Sequence, residues 1–158
     1  MKPRLLITNW KLSARIEHVA EVIIAFDRLP EWWGTVFLDA QVIEKGDKDG
    51  VGRRARFLTR SRLPLTFLWE AEIIKVNSPC NCQIKASGDI NGDVEWNLTQ
   101  NGAIADVRIE SDISLNRPIL GRIAPLLWPT VVEGHRWAME KGLAGLTGEL
   151  DQVRARLN

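Results

Sequence analysis

Residues 118–157, PILGRIAPLLWPTVVEGHRWAMEKGLAGLTGELDQVRARL, decide how this chain is read. Leu120, Leu127, Val131, Ala138, Gly142 and Gly145 recur at helical spacing and share one face, while Arg122, Glu133, Arg136, Glu140, Asp151 and Arg154 gather on the other. Lys141, Glu149 and Arg156 interrupt the pattern, so the stripe is expected to end or drift near the terminus. An amphipathic helix of this kind needs an apolar surface to lie on. Forty straight helical residues would run about 60 Å at a rise of roughly 1.5 Å each, long for a domain of this size. Pro125 and Pro129 are therefore expected to kink the segment or divide it.

The surface has to come from what precedes Pro118. Arg4 to Leu12 reads as a first strand, and Ser13 or Ala14 is expected near the cap of a helix from Ile16 to Phe26. Pro30 is expected to end that helix, with Glu31-Trp32-Trp33-Gly34 as a turn or one further helical turn. From Val36 the period becomes two. Leu38, Ala40 and Val42 alternate with Asp39 and Gln41, and Arg53, Ala55, Phe57 and Thr59 share one face of a strand from Val51 to Arg60. Phe67, Trp69, Ala71 and Ile73 oppose Glu70 and Glu72 between Leu65 and Val76, and Cys82, Ile84, Ala86 and Gly88 share a face of the next strand. Turn signals at Asn91-Gly92 and Asn101-Gly102 precede Val94, Trp96 and Leu98, then Val107, Ile109 and Ile113. The order is strand, helix, six strands and a long helix, with no repeat or linker. The class is α+β, and one domain over residues 1–158 is expected.

Composition removes several functions. Lys and Arg total 21 against 20 acidic residues, which gives no electrostatic case for nucleic acid or an anionic membrane. Leu5-Leu6-Ile7 is too short for a signal-peptide core, and no run is long enough for an integral membrane segment, so a cytoplasmic protein is expected. Cys80 and Cys82 make no disulfide framework, and two histidines without clustered ligands give no metal-site spacing. No metal or cofactor is expected. No nucleophile motif, phosphate loop or paired catalytic carboxylates stand out.

Several motifs together carry a resemblance over nearly the whole chain. They are Glu31-Trp32-Trp33, Val51-Gly52-Arg53-Arg54, Ala86-Ser87-Gly88-Asp89 with Gly92 and Trp96, Ala124-Pro125-Leu126-Leu127-Trp128-Pro129, and Met139-Glu140-Lys141-Gly142-Leu143. In this order they resemble the helix-grip superfamily, called START-like or SRPBCC, and more narrowly its polyketide cyclase/dehydrase-like members. The resemblance implies a seven-stranded antiparallel sheet curved around the C-terminal helix, with a cavity between them. Such cavities hold lipids, sterols, polyketides, hormones or quinones, and the superfamily contains carriers, enzymes and interaction modules.

Trp10, Phe57, Phe67, Trp69 and Trp96 then read either as an aromatic lining or as ordinary core. Arg53 is the one full charge in its alternating set. It would hold a ligand oxygen, as a cavity arginine does in related aromatase/cyclases, or reach into solvent near the strand start. His135 lies at one edge of the helical stripe near Trp128 and Met139, placed to hydrogen-bond a ligand, to act as an acid or base near neutral pH, or to serve structurally. Arg54, Arg56, Arg60 and Arg62 form a basic stripe that reads either as a surface for an acidic partner or lipid headgroups or, more plainly, as one matched across strands by Glu70 and Glu72. The leading expectation is binding or transport of a small hydrophobic molecule. The alternative is a cyclase, aromatase or dehydratase, and with no tyrosine in the chain a mechanism using a cavity tyrosine does not carry over. Oligomeric state has no signature here.

Overall fold

The computed structural model describes residues 4–116 and 118–157, with side chains described from 126 onward in the last helix. Expectations resting on the side chains of Leu120, Arg122, Ala124 and Pro125 therefore lie outside the described residues. Strand β1 (Arg4–Leu12) leads into helix α1 (Ile16–Ile24), a 3-10 turn (Phe26–Arg28) and helix α2 (Leu29–Trp32). Six strands follow: β2 (Phe37–Glu44), β3 (Arg54–Arg60), β4 (Thr66–Asn77), β5 (Asn81–Gly88), β6 (Ile90–Asn101) and β7 (Ile104–Leu115). Helix α3 (Pro118–Leu157) closes the chain.

The strands form one curved antiparallel sheet in the order β1-β7-β6-β5-β4-β3-β2. Each of β2 to β7 pairs with its neighbour in sequence, as a meander of short turns dictates. Strand β1 instead pairs with β7, from Arg4 opposite Ile113 to Leu12 opposite Ala105. That puts β1 and β2 on opposite edges, and α1 and α2 carry the chain between them. The alternation read from β3 to β7 sends Ala55, Phe57, Phe67, Ala71, Ile73, Trp96, Val107 and Ile109 inward, and all are buried. Arg54 and Arg56 stand opposite Glu72 and Glu70, and Arg56 reaches Glu70 at 3.5 Å.

Where the elements depart from expectation, backbone chemistry gives the reason. Helix α1 begins after Arg15 without a side-chain cap and stops at Ile24, so Phe26 belongs to the 3-10 turn. Pro30 does not end that helix; it sits in the first turn of α2, where its missing N–H costs nothing. The ladder of β3 starts at Arg54 rather than Val51, because Gly50 and Gly52 turn the chain with φ of 92° and 86°. In β2 a register shift between Phe37 and Asp39 makes Leu38 an extra residue. Phe37 is consequently buried and Leu38 is 44% exposed, while Val42 keeps its inward register opposite Ala55 yet is 39% exposed at the open edge.

The turn between β5 and β6 falls at Gly88-Asp89, not at Asn91-Gly92. Gly92 stays in the strand with φ of 138°, where an added Cβ would overlap the Asp112 carbonyl oxygen of β7. Helix α3 runs unbroken past Pro125 and Pro129. A proline inside a helix removes one backbone hydrogen bond without by itself dividing the helix, and Pro129 stands at an exposed position between the exposed Leu126 and Thr130.

Two glycines seat α3. A Cβ on Gly142 would lie 2.6 Å from the Trp33 ring and 3.1 Å from Trp10, and one on Gly145 would overlap the Trp32 carbonyl oxygen. Without side chains at both positions, the helix can press against the Trp32-Trp33 corner. Trp33 returns the contact by donating its indole Nε1–H to the Ala138 carbonyl at 2.9 Å. Below it, Leu146 and Leu150 are buried, and so is Glu149, whose carboxylate meets Arg28 at 3.0 Å. Among the described residues no helix is long and apolar enough to cross a membrane.

Candidate ligand cavity

A curved sheet cannot be filled by one helix along its whole length. The C-terminal half of α3 is packed down by its glycines and leucines. Toward its N-terminal half a cavity of about 710 Å³ opens between α3, the helical corner and the inner face of the sheet. This lies within the range of roughly 300–1,000 Å³ usual for small-molecule sites.

The period-two strands supply Phe57 from β3, Phe67, Trp69 and Ala71 from β4, Ile84 and Ala86 from β5, and Trp96 from β6. The helical corner supplies Phe26, Leu29, Trp32 and Trp33, β2 supplies Phe37, and α3 supplies Leu127, Val131, His135, Ala138 and Met139. The aromatic wall is continuous. Phe57 contacts Phe37 and Trp69 edge-on, with centroids 5.1 Å apart in each case, and Phe26 joins it at 5.4 Å.

Polar groups on this wall are few and neutral. Trp69 donates its Nε1–H to the Thr59 hydroxyl oxygen at 3.0 Å, which leaves the Thr59 O–H free to donate. Ser111 presents a second buried hydroxyl from β7. The Nε2 of His135 and the Nε1 of Trp32 are buried without a hydrogen-bond partner among the described residues. Burial pushes the His135 imidazole down to about 4, so it is uncharged at neutral pH.

Among the described residues, charge is confined to the mouth, where the lining residues are exposed. Arg60 and Arg62 come from the end of β3 and the turn after it, and Glu133 comes from α3. The turn is shaped by Ser61, whose hydroxyl donates to the Leu63 carbonyl at 2.9 Å.

The structure brings Phe57, Phe67, Trp69, Trp96, His135 and Met139 together on this one cavity. Three other residues singled out from sequence lie elsewhere. Arg53 precedes β3 and is tied to backbone carbonyls, with Nη1 donating to Ile24 at 2.6 Å and Nε to Lys45 at 3.0 Å. It closes the C-terminal end of α1, where carbonyls lack helical partners and a cation is favoured. Trp10 stands behind the wall, edge-on to Trp33 and Trp96 with centroids 6.0 and 5.5 Å away. Trp128 points away from the cavity, beneath the Arg4 guanidinium at 4.8 Å.

Sequence patterning passed over Trp32, Trp33 and Phe37 as lining because they sit in a turn and beside a bulge. The doubled tryptophan was their only signal. Cys82 is buried with its thiol pushed up to about 11, and the described residues hold no cluster of metal-ligating side chains.

This geometry has close counterparts among solved structures. A START superfamily protein from Mycobacterium smegmatis superposes with a TM-score of 0.76 over 94% of this chain and 98% of its own, at 12% identity. The chain has the START-like helix-grip fold. The protein TTHA0849 from Thermus thermophilus is similar with a TM-score of 0.76, 18% identity and coverage of 95% and 99%. The Zhui aromatase/cyclase from Streptomyces sp. R1128 gives 0.71, 12% identity and coverage of 95% and 94%. No protein-family model and no curated protein matches the chain.

Proposed function

We propose that this chain binds a small hydrophobic molecule, as a carrier or a ligand-binding module, in the cavity beneath α3. One observation carries the reading: about 710 Å³ of space walled by aromatic and aliphatic side chains, with only uncharged polar groups inside. A folded core closes such space, because unfilled volume forfeits packing contacts. Phe57, Phe67, Trp69, Trp96 and Met139 would contact the ligand body, and Thr59, Ser111 and His135 would offer hydrogen bonds. The reading treats residues 1–158 as one domain acting in the cytoplasm, without a cofactor.

The enzyme alternative, a cyclase, aromatase or dehydratase, draws support from the likeness to an aromatase/cyclase. Against it stands His135, the only titratable group on the inner wall among the described residues. A base pushed down to about 4 is a poor acceptor for a carbon-bound proton at neutral pH.

Native mass spectrometry of protein purified without denaturant, followed by organic extraction, tests the proposal. A stoichiometric hydrophobic adduct is expected. Ala86→Phe, which projects a ring into the cavity, should lose it while remaining folded. A folded protein that carries no adduct and takes up no phenylnaphthylamine, a neutral hydrophobic fluorophore, would overturn the reading.

A further inference from the structure

The distribution of charge around the cavity separates one class of hydrophobic ligand from the others. Among the described residues the inner wall holds hydroxyls, indoles and an uncharged imidazole, none of which compensates an ion, and burying an unpaired one is costly. The mouth is different. It carries the guanidinium groups of Arg60 and Arg62 and the carboxylate of Glu133. Glu133 is already engaged by Arg136 at 3.1 Å, one helical turn away. Arg60 stands over the Trp137 ring at 5.7 Å, and neither Arg60 nor Arg62 has an acidic partner among the described residues. Elsewhere on β3 the stripe is matched, Arg54 by Glu44 and Arg56 by Glu70. Of the four arginines in the stripe, the two without an acidic partner among the described residues are the two at the opening.

We infer that the ligand is an amphiphile with an anionic head, a carboxylate or a phosphate, which enters apolar end first and leaves its head at Arg60 and Arg62. Guanidinium groups suit both heads through paired N–H donors. The Trp137 ring keeps the Arg60 side chain against α3, so the cation borders the opening. A head of opposite sign would meet two like charges there. This inference rests on the cavity being a ligand site.

Calorimetric titration of the intact protein with dodecanoate, dodecyl phosphate and dodecanol, all below their aggregation concentrations, tests it. The three share an apolar chain and differ only in the head. At low salt at least one anion should bind about five-fold more tightly than the alcohol, a rim-exposed charge contribution. The more favoured anion identifies the head. That ratio should fall toward one in Arg60→Gln/Arg62→Gln, and also at high salt, where exposed charges are screened. Anions and alcohol binding equally, or a ratio that persists in the double variant, would overturn the inference while leaving the cavity as a hydrophobic site. Failure of all three to bind would remove the ligand-site reading itself, and this inference with it.

Discussion

Gly142→Ala is expected to destabilise the protein, although the same substitution normally strengthens a helix. Alanine is favoured over glycine in a helix interior by about 1 kcal/mol. Against that gain, the new Cβ would sit 2.6 Å from two atoms of the Trp33 ring, where about 3.5–4.0 Å is the comfortable carbon–carbon separation. The ring has little room to yield. It is stacked on Trp32 at 5.3 Å, touches Phe37 at 5.0 Å and Trp10 at 6.0 Å, and is hydrogen-bonded to Ala138.

Overpacking of this kind costs about 1–3 kcal/mol, and losing the indole bond to Ala138 adds about 1 kcal/mol. Subtracting the propensity gain leaves a net loss of about 1–3 kcal/mol. Gly148 lies in the same helix with nothing within 4 Å of its would-be Cβ, so Gly148→Ala should show the propensity gain alone, about 0.5–1 kcal/mol of stabilisation. Urea denaturation of the two variants beside the parent should give shifts of opposite sign. At this chain length each kcal/mol corresponds to about 2–4 °C in a thermal scan. If Gly142→Ala proves as stable as Gly148→Ala, the close seating of α3 on the tryptophan corner is not what holds the helix.

Two further predictions concern the cavity wall. His135 is held down to about 4 against an ordinary 6.5, so below pH 6.5 the unfolded chain binds a proton that the folded chain refuses. Its contribution is fully present above pH 6.5, falls as the pH drops from there toward 4, and levels off below. The loss is about 3 kcal/mol, and His135→Gln should abolish that part of the pH dependence; identical pH–stability curves for parent and variant would refute the assignment. Thr59→Val keeps the shape of the wall but removes the acceptor for the Trp69 indole N–H. A cost of about 1–2 kcal/mol in chemical denaturation is expected, with recovery in Thr59→Ser, and a neutral valine would mean that water replaces the hydroxyl.

The strand faces were legible because a half-buried sheet repeats every two residues. That repeat places Phe57, Phe67, Trp69 and Trp96 on one surface before any coordinates exist. It fails where the backbone slips, and the bulge at Leu38 hid Phe37. Arg53 was legible as an unusual charge but not as a helix clamp, since its partner carbonyl belongs to Ile24 in an element 29 residues earlier. Glu149 likewise read as an interruption of the apolar stripe. Its partner Arg28 is 121 residues away, and only the fold brings the two together. The Arg60 and Arg62 pair read as part of an outer stripe; the end of β3 at Arg60 was legible, but the sequence does not say that the turn after it borders the opening. Pro30 was read as ending a helix, but it opens the next one, where a missing N–H has no helical partner to lose, and α3 is not divided at Pro125 or Pro129.

The placement of tryptophan has a spectroscopic consequence. The chain has seven tryptophans and no tyrosine, so its ultraviolet-excited emission comes almost wholly from indoles. Trp32, Trp33, Trp69 and Trp96 line the cavity, and Trp10 touches two of them. Most of the light this protein emits therefore originates at the cavity wall or one ring behind it. An occupant that displaces water changes the polarity around those emitters, and an aromatic or conjugated one quenches them directly. Occupancy is thus written into the colour and brightness of the unlabelled protein, with Trp128 and Trp137 on α3 as the remaining background.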